Sequence, residues 1–263
     1  MPVLSTVGAA SLRAFGAFRP SAAAVSYISA SGGTVYTDPS NADYKVHQFT
    51  SNGTFTVNSM PSGATVEVMM VAGGGGGNFG GGGAGGYIYR SAFSVSPGSF
   101  SVAIGAGGAV GASGGDTTFG GLTAIGGGGP STSGGSGGGG TVSSTGGGSG
   151  LQPTSSGGGY GNAGGSYSGV GFDGGGGGAG GTGNLPTAGG VGRTADIISS
   201  SGTYASFAAG GYGNRFSQSV DEPTVVANSG NGGWGGGYPD SLGNPVAAQG
   251  GQEGIVRIRY KFQ

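Results

Sequence analysis

The residues that could support acid–base, nucleophilic or metal chemistry are few in this sequence. It has no cysteine, one histidine and ten acidic residues. Histidine is the side chain that titrates nearest to neutral pH, but His47 stands alone in a predicted strand. Asp221 and Glu222 form the one adjacent acidic pair, and Pro223 indicates a turn there. Glycan hydrolysis needs two opposed carboxylates, and a calcium loop needs acids at set spacings. We therefore predict a protein that is not an enzyme and uses no cofactor or metal.

The side chains best suited to binding are aromatic residues isolated among glycines. Aromatic rings supply contact area at a low cost in conformational entropy. The predicted receptor-binding residues are Tyr160, Tyr167, Phe172, Tyr204, Phe207 and Phe216. We expect the greatest exposure for the three that lie in residues 193–229, a stretch that we call the insert. The alternative is that such rings pack on glycine or close the ends of glycine segments, as we expect for Trp234 and Tyr238.

The first 24 residues form a separate leader that is rich in small side chains. It contains Arg13, Phe15, Phe18 and Arg19, which we predict to attach the protein to a larger assembly. A loose N-terminal arm is the alternative. The leader has no charged segment followed by an apolar one, so it does not have the pattern of a signal peptide.

The composition excludes several classes of protein. The chain has 73 glycines among 263 residues, 7% charged residues and a net charge of −1, whereas ordinary proteins have roughly 7% glycine and about 25% charged residues. Runs such as Gly73–Gly77 break the every-third-residue rule of collagen. No basic patch suited to nucleic acid is present, and no apolar stretch reaches the roughly 20 residues of a membrane span.

Strand patterns occupy both sides of the glycine-rich part, and no convincing helix is predicted. In Thr65–Ala72 and Ile255–Phe262, side chains alternate between two faces. In the second strand, Val256, Ile258 and Tyr260 are predicted to face the core, and the opposite face is predicted to meet water or a neighbour. Turn residues predict two hairpins, one at residues 31–33 and one at residues 51–53, where Asn-Gly is a strong hairpin signal.

The glycine runs need an explanation for how they could be ordered. Glycine loses more conformational freedom on folding than any other residue, so backbone hydrogen bonds and close chain approach must compensate. Polyproline-II-type helices rise about 3.1 Å per residue and make no internal hydrogen bonds, so their N–H and C=O groups are free to bond to neighbouring helices. We therefore predict a bundle of polyglycine II helices that is closed by turns at its ends.

A series of motifs carries a resemblance to a known family. In order, the motifs are Phe49–Val57, Val66–Gly77, Gly80–Tyr87, Ser94-Val95 with Pro97-Gly98, Val102–Gly108, Phe119-Gly120, Thr123-Ala124, Gly126–Gly129 and Gly254–Tyr260. The series resembles the glycine-rich domain of phage tail-fibre and tail-tip adhesin proteins. This resemblance implies an all-β fold, a jelly-roll-like β-sandwich with an inserted polyglycine II helix bundle.

The resemblance also implies an organisation and a function. Residues 1–44 match no motif of the family, and we predict from the residues themselves that they form an N-terminal attachment arm with short strands. Residues 45–263 would form a glycine-rich β-domain. Within it, residues 45–125 and 254–262 would form the sandwich, and residues 126–253 the bundle and loops. The protein would be a virion fibre or adhesin that contacts other virion proteins through its arm and binds a protein or glycan receptor on the host surface. A homo-oligomer, such as a trimer, is expected.

Other functions compete with this one. A purely structural virion protein, such as a connector, a decoration or a fibre shaft subunit, is the main alternative, and in it Arg257 and Arg259 would mark a subunit interface. An ice-binding protein would need a regular array of Thr or Ala, and a cell-wall protein would need a signal peptide. Neither feature is found in the sequence.

Overall fold

The computed structural model describes residues 26–154, 158–169, 172–184, 188–203, 205–213, 227–236 and 247–263. The strands of this part of the chain are β1 (Ser29–Ser31), β2 (Thr34–Thr37), β3 (Tyr44–Phe49), β4 (Gly53–Ser59), β5 (Thr65–Val71), β6 (Tyr87–Ser94), β7 (Gly98–Ala103), β8 (Thr117–Phe119), β9 (Leu122–Ala124), β10 (Arg193–Thr194), β11 (Ser206–Phe207) and β12 (Ile255–Lys261). A 3-10 turn at Gln152–Thr154 is the one helical element in these ranges. The predicted all-β class is therefore confirmed.

Two five-stranded antiparallel sheets pack on each other, and together we call them the sheet pair. The first sheet has the strand order β1-β4-β7-β8-β9, and the second has the order β2-β3-β12-β5-β6. Their shared core buries Phe55, Val102 and Phe119 from the first sheet with Met70 and Ile258 from the second. The arrangement is sandwich-like, because inward-facing residues of both sheets meet in one hydrophobic layer.

Two predicted hairpins are instead crossings between the sheets. β1 pairs with β4 while β2 pairs with β3, so Gly32 and Gly33 carry the chain from one sheet to the other. Both glycines have positive φ, which permits the sharp change of direction. β3 and β4 are likewise in different sheets, and the Asn52 side chain accepts a hydrogen bond from the Ile104 N–H at 2.8 Å. Local turn chemistry could not show which sheet each strand joins.

The alternation predicted for β5 and β12 is confirmed. Val256, Ile258 and Tyr260 lie in the shared core, whereas Ile255 lies in a second hydrophobic cluster on the outer face of the second sheet. This outer cluster also contains Ile197 and Phe207 from the insert. The insert therefore covers part of the face of the second sheet that was predicted to meet water or a neighbour.

The glycine-rich segments extend from the strand ends as a third region, the glycine body. It comprises the described residues of 72–86, 104–116, 125–150, 161–192, 208–213, 228–236 and 247–254. Gly73–Gly77 and Gly80–Gly86 are buried within it. The body thus includes segments that follow β5 and β7, within the range predicted to be sandwich.

Hydrogen bonds in the glycine body repeat every third residue. The N–H groups of residues 72–77 donate to three neighbouring segments in turn, at 2.8–3.1 Å. The pairs, donor first, are Ala72 with Gly86 and Gly75 with Gly83, Gly73 with Gly115 and Gly76 with Ala112, and Gly74 with Gln252 and Gly77 with Gln249. The carbonyl groups accept from three further segments, with Gly127 donating to Gly73, Gly108 to Gly74 and Gly233 to Gly75. One buried segment is thereby bonded to six others.

This close approach leaves no room for side chains. A Cβ atom on Gly82 would lie 2.0 Å from the carbonyl oxygen of Gly75, and one on Gly75 would lie 2.2 Å from that of Gly128. The obstructing atoms are backbone, which cannot rotate away. Glycine is therefore required at these positions by packing.

Two strands of the predicted N-terminal unit take part in the sheets. β1 pairs with β4, and β2 pairs with β3.

Among the described residues there is no helix with the length and apolar character that a membrane crossing needs.

Candidate binding surfaces

Four exposed apolar side chains lie in turns at the end of the glycine body that is remote from the sheets. The segment after β5 leaves the sheet at Ala72 and is farthest from it at Gly77, since the antiparallel segment 80–86 returns to β6. Hydrogen bonds from Gly111 to Gly77 and from Gly139 to Gly81 place other turns at the same end. The four side chains, which we call the distal surface, are Phe79, Val110, Val142 and Phe172, with exposed fractions of 39%, 53%, 59% and 37%.

Backbone hydrogen bonds hold the turns of the distal surface. The Phe172 N–H donates to the Gly169 oxygen at 3.0 Å, and the Tyr167 N–H donates to the Thr145 oxygen at 2.8 Å. Tyr167 is half-buried. Two of the predicted receptor-binding residues therefore lie at this end of the molecule, and one of them is on its exposed surface.

A buried carboxyl group lies directly after Phe172. Asp173 is buried, and its Oδ1 atom has no hydrogen-bond partner among the described residues. Burial raises the pKa of Asp173, and the N–H of Val142 opposes this shift. The charged form is therefore disfavoured beneath the distal surface.

A second group of polar and aromatic residues lies on the flank of the glycine body. Tyr160, which is 41% exposed, bridges to Tyr87 at the start of β6. The guanidinium carbon of Arg193 lies 3.8 Å from the centroid of the Tyr160 ring. Asp196 accepts a hydrogen bond from the Tyr87 hydroxyl at 2.7 Å, and its own N–H donates to that hydroxyl at 3.0 Å. Burial, followed by the bond to Asp196, raises the pKa of Tyr87, so its hydroxyl remains a donor.

The arginines of β12 make contacts inside the chain. Arg257 is buried, and its Nη1 atom donates to the Ile197 oxygen at 2.7 Å. Arg259 donates to Asp38 and to Glu67, each at 2.8 Å. These hydrogen bonds of the two arginines are therefore made within one subunit, and Arg257 is buried there.

Part of the insert lies in the hydrophobic cluster on the outer face of the second sheet, and this changes the interpretation of its aromatic residues. Phe207 in β11 is 3% exposed and lies under the Arg257 guanidinium, so its predicted exposure is wrong. Its short strand pairs with β10 and folds onto the second sheet, a contact that no local pattern predicts. Tyr204 and Phe216 lie outside the described residues, as do Arg13, Phe15, Phe18, Arg19 and Tyr238. Trp234 is largely buried, as expected for a ring that packs among glycines.

His47 is a core residue. Its Nδ1 atom lies 2.7 Å from the Gly32 oxygen, and its Nε2 atom lies 3.0 Å from the Tyr260 hydroxyl. Burial lowers the pKa of His47, so the neutral ring is favoured. Nowhere in the described ranges do three or more histidine, cysteine, aspartate or glutamate side chains gather as metal ligands.

The sequence reasoning missed several residues of both surfaces. Phe79, Val110 and Val142 each interrupt a glycine-rich stretch at a turn. This pattern is visible in the sequence and could have identified them as exposed residues. Arg193 and Asp196 carried no such signal, because their partners Tyr160 and Tyr87 are distant in the sequence.

The chain is similar to a known protein family. The family model described as a glycine-rich domain matches residues 50–261, which is most of the chain. No curated protein sequence matches the chain.

Proposed function

The chain belongs to the glycine-rich domain family, and we propose that this member of the family is a non-enzymatic fibre or adhesin protein of a bacteriophage particle that binds the host cell surface. In this proposal the protein is located in the virion. Its N-terminal arm contacts other virion proteins, and it forms a homo-oligomer such as a trimer. The receptor is a protein or a glycan of the host surface.

We also propose that the glycine body is a polyglycine II helix bundle. The hydrogen bonds of residues 72–77 support this proposal, because they return to the same neighbour every third residue and the polyglycine II helix has three residues per turn. Residues 81–86 support it in the same way. Their N–H groups donate in turn to Gly174, Gly233 and Gly128, and then to Gly177, Gly230 and Ile125. A bundle of this kind would be a stiff support with few constraints on its end turns.

The sheet pair is proposed to be jelly-roll-like. The chain crosses between the two sheets after β1, β3, β4 and β6 and again before β12. Repeated crossing between two packed antiparallel sheets is typical of sandwiches with Greek-key connections. The proposal therefore depends on connectivity as well as on the two layers.

The proposed function rests on the positions of two surfaces at opposite ends of the molecule, the distal surface and the end of the sheet pair near Tyr27. β12 begins beside the glycine body at Ile255 and ends at Lys261, so its last residues lie away from the distal surface. Tyr27, near the start of the described chain, lies at this same end and lines a groove with Tyr260 and Phe262. An attachment arm would thus leave from one end, while exposed apolar turns face outward at the other. This separation suits a protein that is anchored at one end and binds at the other.

Cell binding by the full-length protein tests the proposal. We compare the double variant Val142→Ser/Phe172→Ser with the double variant Val35→Ser/Tyr27→Ser, which removes similarly exposed apolar side chains from the sheet pair. The labelled proteins are titrated onto candidate host bacteria, and their folding is checked by circular dichroism. We expect the distal variant to lose at least about tenfold in affinity, as for a binding hot spot, and the control variant to bind normally.

Two results would contradict the adhesin proposal. One is the absence of binding to every candidate host by the folded, full-length protein. The other is an equal loss of binding in the two double variants, since this would show that the distal surface has no special part.

A structural virion role is supported by a different face. The outer surface of the first sheet carries uncharged hydroxyl residues, namely Ser31, Thr54, Thr56, Ser99, Ser101, Thr118 and Thr123. Such a face can pack on another subunit without burying a charge. If it is an interface, Thr56→Lys with Ser99→Lys will dissociate the oligomer in analytical ultracentrifugation.

A further inference from the structure

An open depression on the flank of the glycine body contains an arginine whose bonding capacity is only partly used. The depression has a volume of about 570 Å³ and is lined by Gly180, Gly192, Arg193, Thr194, Ala195 and Asp196. We infer that it binds the carboxylate of an acidic saccharide, with the Arg193 guanidinium as the anchor. This site is separate from the distal surface.

Neighbouring rings hold the Arg193 guanidinium in place. Its carbon lies 3.8 Å from the centroid of Tyr160 and 5.6 Å from that of Tyr87. Its Nε atom approaches Asp196 Oδ2 at 3.4 Å, a long contact to an oxygen that already accepts from the Tyr87 hydroxyl. Among the described residues, neither of its terminal nitrogens, Nη1 and Nη2, has a hydrogen-bond partner. The two terminal nitrogens of Arg193 are therefore held in position and are available to bind a ligand.

Arg259 provides the comparison, because all three nitrogens of its guanidinium group donate hydrogen bonds to carboxylates. Its two terminal nitrogens donate to Asp38 and Glu67 at 2.8 Å, and the Glu67 carboxylate is bound by both Nε and Nη2. Arg193 is ion-paired with Asp196 only through its Nε atom, at 3.4 Å, and 33% of its side chain is exposed. A carboxylate from a ligand could complete the same two-bond geometry, which is the strong arrangement for this side chain.

The other lining groups favour a sugar over a simple anion. Thr194 and Asp196 offer a hydroxyl and a carboxylate that can bond to ring hydroxyls. Gly180, Gly192 and Ala195 leave the floor open without large apolar side chains, whereas sites for apolar ligands are mostly hydrophobic. A hydrated, hydroxyl-rich ring that carries one carboxylate fits this combination.

Titration of the full-length protein with D-glucuronate, followed by the amide NMR signals of Gly192, Thr194 and Ala195, tests the inference. Glucose is the neutral matched ligand, and inorganic phosphate is the anion without a sugar ring. We expect saturable shifts with glucuronate and none with the other two. Arg193→Gln should weaken binding about 10- to 100-fold, as for the loss of hydrogen bonds to a charged group. Lys261→Gln, which removes an exposed charge from the end of β12, should leave binding unchanged.

Several outcomes would overturn the inference. These are the absence of shifts with glucuronate, equal shifts with glucose, equal shifts with phosphate, and undiminished binding by Arg193→Gln. If Arg193→Gln does not fold, Thr194→Val replaces an exposed hydroxyl, and binding that it leaves unchanged would count against the site. The variant Val142→Ser/Phe172→Ser should bind glucuronate normally, so failure of the distal surface and failure of this site are distinguishable.

Discussion

The sheet pair and the glycine body of this protein are both well packed, but different atoms make the contacts. In the sheet pair, large side chains such as Phe55, Met70 and Ile258 fill the space between two layers. In the glycine body, backbone atoms touch backbone atoms, and hydrogen bonds join one segment to six others. The first region should therefore be sensitive to the loss of side-chain volume, and the second to its addition.

The largest effect is expected from removing volume in the sheet pair. Phe55 is fully buried and contacts the rings of His47 and Phe119. Phe55→Ala should lower the free energy of unfolding by about 3–5 kcal/mol, because it removes buried apolar surface and leaves a cavity. Urea denaturation measures this change. A loss below about 1 kcal/mol would show that the shared core is not closely packed.

Adding one methyl group to the glycine body should be nearly as harmful. In Gly82→Ala the new Cβ would meet the carbonyl oxygen of Gly75, so the backbone must shift, and we expect a loss of about 3 kcal/mol. Gly146→Ala is the matched control, since no atom lies within 4 Å of its added Cβ and its φ is ordinary. This control should be neutral or stabilising by up to about 1 kcal/mol. If the two variants unfold alike in urea, close backbone packing is not what orders the body.

Tyr87 tests the junction between the two regions. It begins β6 directly after the buried segment 80–86, and its hydroxyl is bonded twice to Asp196. Tyr87→Phe should cost about 1–3 kcal/mol, because it removes a buried hydroxyl that both donates to the Asp196 carboxylate and accepts from the Asp196 N–H. Amide hydrogen exchange should then increase around Asp196 while the shared core stays protected. Uniform acceleration throughout the chain would instead show that the two regions unfold together.

The two regions should respond to pH in opposite directions. Burial lowers the pKa of His47 in the sheet pair, so its contribution to stability is complete above about pH 6.5 and decreases as the pH falls below that value. Burial raises the pKa of Asp173 in the glycine body, so its contribution is complete below the pKa of an unfolded aspartate, about 3.9, and is lost as the pH rises through the raised value.

Thermal midpoints between pH 4 and pH 8 check this opposition. His47→Gln should reduce the loss of stability on acidification, and Asp173→Asn should raise the midpoint at pH 8 relative to the original protein. A decrease of the midpoint at pH 8 in Asp173→Asn would show that the carboxylate form of Asp173 is stabilising.

The sequence predicted the parts of the fold that depend on local periodicity. Alternation in Ile255–Phe262 assigned Val256 and Ile258 to the core, because successive strand side chains point to opposite faces. The turns at Gly32 and Asn52 were wrongly predicted as hairpins, since the residues of a turn do not show which sheet the next strand joins. The predicted exposure of Phe207 failed for a related reason, because its partner Arg257 lies 50 residues away in the sequence.

The sequence by itself determined the all-β class, the scarcity of groups for chemistry and the need for backbone bonding in the glycine runs. Each follows from residue type and local spacing, which act within a few neighbouring residues. Only the tertiary structure decided which glycine segments are neighbours, that the insert covers the second sheet and that Arg193 meets Tyr160. These contacts join residues that are distant along the chain, and glycine has no side chain through which a sequence could specify its partner.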